Sequence, residues 1–226
     1  MKNYYTSLSK DILSIAKSEK DTTVLRRQLF YIQRAKLITS LDTDDLKKTF
    51  WINIYHAYYL IISKDATVYK TIFSLKRINI AGFVFSLNDI EHGILRKCKF
   101  KIGFGYITNP FYSTHIKTLA VSEIDYRIHF ALRSGSLQDC PIDHYDCEKI
   151  DKQLTIVTKD FITSETEFDD EFKRIRVSKF IETYLRDFGG KKSIKKLLET
   201  IFKKDLKAYT LKFKNPKRMQ NILTAS

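Results

Sequence analysis

Apolar residues recur at helical spacing over the first third of the chain. Ile12, Leu13, Ile15 and Ala16 predict a short amphipathic helix. Val24, Leu25, Leu29, Ile32, Ala35, Leu37 and Ile38 predict a second, with Arg26, Arg27, Gln33 and Arg34 on its other faces. Asp21-Thr22 is a cap signal for it. Leu41-Asp42-Thr43-Asp44-Asp45 is another, with acids at the positive end of the helix dipole. The stretch that follows, LKKTFWINIYHAYYLII, is apolar on nearly all sides, so it predicts a helix in the middle of the core. KRINIAGFVFS (76–86) alternates around Ala81-Gly82 and reads as a hairpin. Ser86 with Asp89 fits an S-x-x-[DE] cap ahead of the helix LNDIEHGILRK. Residues 98–125 carry no assignable pattern, and 124–132 read as a buried strand or tight turn. Further on, the pattern predicts a helix over 146–163 and a charged hairpin over 165–177. It then predicts a helix over 178–188 stopped by Gly189-Gly190, and a short helix over 193–202. With no repeat, linker or low-complexity tract, the expectation is one α+β domain over 1–226, helix-rich with a small antiparallel sheet.

Composition narrows the class. The 226 residues are 43% hydrophobic, and a chain of this length buries roughly 70% of its unfolded surface without needing disulfides or metal. Only 7 Gly and 3 Pro exclude a collagen-like or low-complexity chain. Cys98, Cys140 and Cys147 lack the paired spacing of a zinc site, and no HExxH or H-x-x-x-H is present, so neither metal nor cofactor is expected. No stretch approaches the ~20 apolar residues of a membrane span, and the N-terminus lacks a signal-like apolar core. The chain therefore reads as soluble and cytoplasmic, as would a truncated form lacking a signal.

The net charge of +14 is unevenly spread. Residues 191–226 carry +9, while 139–190 carry −5. Lysine far outnumbers arginine in the basic tail, and it holds no nucleic-acid motif, so a solvated face is the expectation rather than a nucleic-acid partner.

Four segments carry a resemblance: FWINIYHAYYL (50–60), INIAGFVFSLNDIEHGILR (78–96), DYRIHFALRSGSLQDCP (125–141) and VSKFIETYLRDFGG (177–190). In this order they resemble the family called domain of unknown function 547, over about residues 25 to 205. The resemblance brings no settled activity. It implies a thiol-hydrolase-like site as one possibility, because the family pattern places a Cys just after a His-bearing segment. Here that position is Ser134, an extra residue precedes Cys140-Pro141, and His56 stands where the pattern has Asn. The tail reads LKFKNPKRM where the pattern has a segment like YDWSLN.

Three polar groups are candidates for chemistry. His129, Ser134 and Cys140 combine a base with a hydroxyl or thiol nucleophile, and Gly135 beside them gives backbone N–H groups access to an oxyanion. The structural alternative is a core histidine and a small buried cysteine. Glu91, His92 and Arg96 share a helix face suited to an anion or carboxylate; alternatively Arg96 ties its helix to Asp125 or to a carbonyl. Asn53 and His56, three apart in the apolar helix, must be hydrogen-bonded or face a cavity. Asp125 and Arg127 form a local ion pair on the simplest reading. The expectation is a pocket where 53–56, 89–96 and 127–141 converge. The catalytic candidates are Ser134, His92, His129 and Cys140; the binding candidates are Asn53, His56, Glu91, Arg96 and Arg127. One outcome is a degenerate, non-catalytic hydrolase-like domain that binds a small molecule or peptide. The other is a hydrolase or acyltransferase using Ser134 or Cys140 with His92 or His129.

Overall fold

A computed structural model describes residues 3–65, 67, 71–100, 102–133 and 142–214. Its fold is α+β and helix-rich. Contacts divide it into two compact units, residues 1–100 with 108–158, and residues 101–107 with 159–226.

The first unit is built on α4 (Asp44–Ser63). Thr43 caps it by accepting from the Leu46 N–H, and Asp44 and Asp45 sit in its first turn, favourable at the positive helix end. Phe50, Trp51, Ile52, Ile54 and Ala57 are fully buried, so the helix is covered on all sides, as its apolar sequence requires. Each large side chain so buried contributes about 2–3 kcal/mol. Helix α1 (Tyr4–Lys17) packs along α4 through Leu8, Ile12, Leu13 and Ala16. The hairpin β1 (Ile78–Ile80) and β2 (Phe83–Phe85) pairs antiparallel, with Ala81 and Gly82 both in the left-handed region that such a tight turn demands.

The predicted helix over 24–38 is two helices, α2 (Thr23–Phe30) and α3 (Arg34–Ser40). The Leu29 carbonyl that would continue α2 instead accepts the hairpin's Ala81 N–H at 2.9 Å. Tertiary pairing thus replaces the next helical bond, and Val24 and Ile38 are left exposed.

After β2, Ser86 and Asp89 cap each other reciprocally: the Ser86 N–H donates to Asp89 Oδ2 at 2.8 Å, and the Asp89 N–H donates to Ser86 Oγ at 3.1 Å. The helix they start continues as a π helix over Asp89–Leu95, with five-residue bonds from the Arg96 N–H to Glu91 O and from the Cys98 N–H to Gly93 O. Gly93 of this helix faces α5 (Thr114–Leu119). The segment 124–132 contains no strand. The Asp125 side chain accepts the Arg127 N–H, starting a turn that leads into the short helix α6 (Ile128–Ala131), so His129 is helical.

Helix α7 (Ile150–Glu165) leads into the second unit. There β3 (Glu167–Asp169) pairs antiparallel with β4 (Arg174–Val177), as the charged-hairpin pattern predicts. A third strand, β5 (Thr210–Phe213), pairs parallel with β4 and makes this sheet mixed. Ile175 and Val177 bury one face of β4 while Arg174 and Arg176 are exposed. Helix α8 covers only Lys179–Thr183 of the predicted 178–188, because the Arg186 N–H leaves the helix to bond Phe104 O at 2.9 Å. Helix α9 (Lys191–Phe202) buries Ile194 and Leu198 and turns its lysines outward.

A Cβ at Gly93 would lie 2.7 Å from Ile116 Cγ2 and 3.0 Å from Tyr112 Cε1. Ile116 is buried and β-branched, so it has little room to yield. Gly93→Ala is expected to cost about 1–3 kcal/mol by overpacking, outweighing the roughly 1 kcal/mol helix-propensity gain. A urea midpoint that falls at unchanged m-value checks this.

Candidate functional site

Helix α4 carries its polar pair toward two different backbone segments. Asn53 is fully buried; its Oδ1 accepts the Tyr145 N–H and its Nδ2 donates to Tyr145 O, both at 2.9 Å. One amide thus satisfies both main-chain groups of a buried residue 92 positions away. His56 approaches the Ala131 carbonyl at 2.8 Å through Nε2. A carbonyl only accepts, so Nε2 carries the proton and Nδ1 the lone pair. Complete burial pulls the His56 pKa down from 6.5 to about 4, opposed in part by that backbone bond. The imidazole is therefore neutral at physiological pH.

The π helix presents Glu91, His92 and Arg96. Arg96 is fully buried, and its Nη1 donates to His92 Nδ1 at 3.0 Å and to Phe100 O at 3.2 Å. A guanidinium has no lone pair to offer, so His92 Nδ1 is the acceptor and Nε2 carries the proton. The Glu91 carboxylate lies 3.7 Å from the same nitrogen. His129 is buried on α6. Arg127 holds Asp125 through Nη2 at 2.9 Å and reaches Asp151 at 2.8 Å. Lys48 of α4 also reaches Asp125, at 3.3 Å. Against a burial that would raise it, these cations hold the Asp125 carboxyl below the usual range. Asp125 and Arg127 thus form the expected local pair, within a turn rather than on a strand. Ser134 and Cys140 lie outside the described residues.

A cavity of about 160 Å³ lies elsewhere in this unit, between α1, the start of α4 and residues 145–148. Ser7, Lys10, Thr49, Tyr145, Cys147 and Glu148 line it. That volume is far above the roughly 10–15 Å³ that admits one water. Thr49 is fully buried, and its hydroxyl has no hydrogen-bond partner. Burial, with Asp45, Asp146 and Glu148 nearby, pushes the Cys147 thiol up, so it stays protonated and weakly nucleophilic. None of the candidate residues among those described lines this cavity. The signal that points to it, a threonine among the apolar residues of a core helix, is faint in the sequence. Among the described residues, no group of His, Cys, Asp and Glu is arranged to hold a metal ion. No described helix is long and apolar enough to cross a membrane.

This α+β unit, with its FWIN helix and DIEHGILR π helix, falls within a known family. The family model described as "Protein of unknown function, DUF547" matches residues 38–162, more than half of the chain, and the chain belongs to that family. The match is narrower than the resemblance over 25–205 and ends before the VSKFIETYLRDFGG segment. No curated protein and no solved structure matches the chain.

Two outcomes test this geometry. Because the His56 pKa is lower folded than unfolded, the unfolded state binds more protons as pH falls below about 6.5. Stability contributed by neutral His56 is present above that pH and is lost on the way down to about 4. Between about pH 7 and pH 5 the loss is about 2 kcal/mol. His56→Gln keeps an amide donor and should remove that part of the slope, read from denaturant unfolding at each pH. Asn53→Ala strands two buried backbone groups and should cost about 2–5 kcal/mol. Asn53→Asp buries a carboxylate against the Tyr145 carbonyl and is expected to cost at least as much as Asn53→Ala in the same unfolding experiment.

Proposed function

We propose that this chain is a non-catalytic member of its family that binds a small polar molecule or the end of a peptide. The observation that carries the reading is the Thr49 hydroxyl, fully buried, without a partner, on the wall of a cavity with room for several heavy atoms. An unmade buried hydroxyl bond costs about 1–3 kcal/mol, and a ligand oxygen or nitrogen at that point recovers part of it. Lys10 on one side and Asp146 with Glu148 on the other give the same cavity charges of both signs, which favours a ligand carrying both, such as a free amino acid.

The histidines support the non-catalytic side. A general base needs a lone pair toward the nucleophile and a pKa near the working pH. His92 has its Nδ1 lone pair engaged by Arg96 and its proton on Nε2, so it acts as a donor. His56 donates to Ala131 and titrates near 4.

Backbone amide NMR titration with free amino acids and small polyols is expected to shift resonances around 6–10, 46–49 and 145–148. Thr49→Val replaces the unpartnered hydroxyl with a methyl, so the free protein should be unchanged or slightly more stable, while affinity falls roughly tenfold. Fluorophosphonate or iodoacetamide labelling that is fast at neutral pH and abolished by Ser134→Ala or Cys140→Ala overturns the non-catalytic reading in favour of a hydrolase or acyltransferase.

A further inference from the structure

Away from the cavity, the second unit exposes a short apolar loop. Within residues 102–107, Ile102 is 74% exposed, Tyr106 56%, Phe104 52% and Ile107 51%. Single exposed apolar side chains are ordinary, but four in six consecutive positions form a patch. The two remaining residues are Gly103 and Gly105, and Gly103, Phe104 and Gly105 all have positive φ. This run of left-handed residues folds the chain into a tight arch.

The arch is held from behind. The Tyr106 N–H donates to Gly103 O at 3.0 Å, and the Arg186 N–H donates to Phe104 O at 2.9 Å. The Arg186 guanidinium sits 5.7 Å from the Tyr106 ring centroid. Packing and backbone bonds therefore fix the loop's base while its apolar side chains remain in water.

We propose that this loop docks the protein on an anionic membrane surface, with Ile102, Phe104, Tyr106 and Ile107 entering the interfacial layer. Charge decides the partner. In the same unit as the loop, residues 159–214 contain fifteen Lys or Arg against ten Asp or Glu. An apolar tip with Tyr and Phe on a net basic unit matches the layered chemistry of acyl chains below phosphate headgroups. Each basic residue near such a surface strengthens binding about fivefold. A nucleic acid would use the cations but leaves Ile102 and Ile107 without a partner.

The test uses the full chain with vesicles of phosphatidylcholine alone and of phosphatidylcholine containing about 30 mol% phosphatidylserine, near the anionic content of a cytoplasmic leaflet. Co-sedimentation is expected with the anionic vesicles, weakening as salt is raised. Phe104→Asn keeps a residue tolerant of the left-handed backbone and should lower binding at least tenfold, as should Ile102→Asn. Tyr106→Trp should give an emission blue shift on adding anionic vesicles. Circular dichroism and the amino-acid titration should be unchanged in Phe104→Asn, which separates this inference from the ligand-binding reading. Absence of sedimentation with anionic vesicles overturns the proposal. So does binding that both loop variants leave intact, and so does a Tyr106→Trp emission that vesicles leave unmoved while short RNA shifts it.

Discussion

The first unit depends on how a helix buried on all sides accommodates its polar residues. Helix α4 gains stability from covering Phe50, Trp51, Ile52 and Ile54, and that covering removes water from Asn53 and His56. Both side chains answer by bonding main chain from distant segments, Tyr145 in one case and Ala131 in the other. The bonds are long-range in sequence, so they are made only when the fold is complete. Burying the same two positions as apolar side chains would leave the Tyr145 N–H and the two carbonyls without partners, at about 1–3 kcal/mol each. The polar pair therefore fixes which segments lie against α4, while its apolar neighbours supply most of the driving force.

Desolvation also sets what the site can do. The burial that makes His56 structurally valuable also keeps it neutral. Arg96 then dictates the tautomer of His92 by occupying Nδ1.

Much of this was legible in the sequence where a local rule governed. The apolar run at 46–62, the Ala81-Gly82 hairpin, the Ser86–Asp89 cap and the α7 helix follow from periodicity and turn chemistry. The family pattern also located Asn53, His56, His92 and Arg96. What the sequence concealed is tertiary. The break at 31–33 arises because Ala81 takes the Leu29 carbonyl, and α8 stops early because Phe104 takes the Arg186 N–H. Strand β5 was hidden because Lys212 within it and Lys214 just after it make the segment read as a solvated tail, although Leu211 is buried against β4. The Thr49 cavity is a property of three separated segments, and no spacing rule connects Ser7, Thr49 and Cys147.

The substitution at position 56 shows how a departure from a family pattern can preserve its physics. Asn and His differ in size and in whether they titrate, yet each presents both an N–H donor and an acceptor. With Nε2 donating to Ala131, the histidine does for that carbonyl what an amide N–H would do. The change adds a titratable group but holds its pKa near 4, outside the range in which it would switch charge at neutral pH. The departure at 134 is different in kind, because a hydroxyl is a far weaker nucleophile than a thiolate unless a base activates it. The two histidines with assigned tautomers offer no such base. His56 holds structure where an amide would, and the thiol of the pattern is absent from 134.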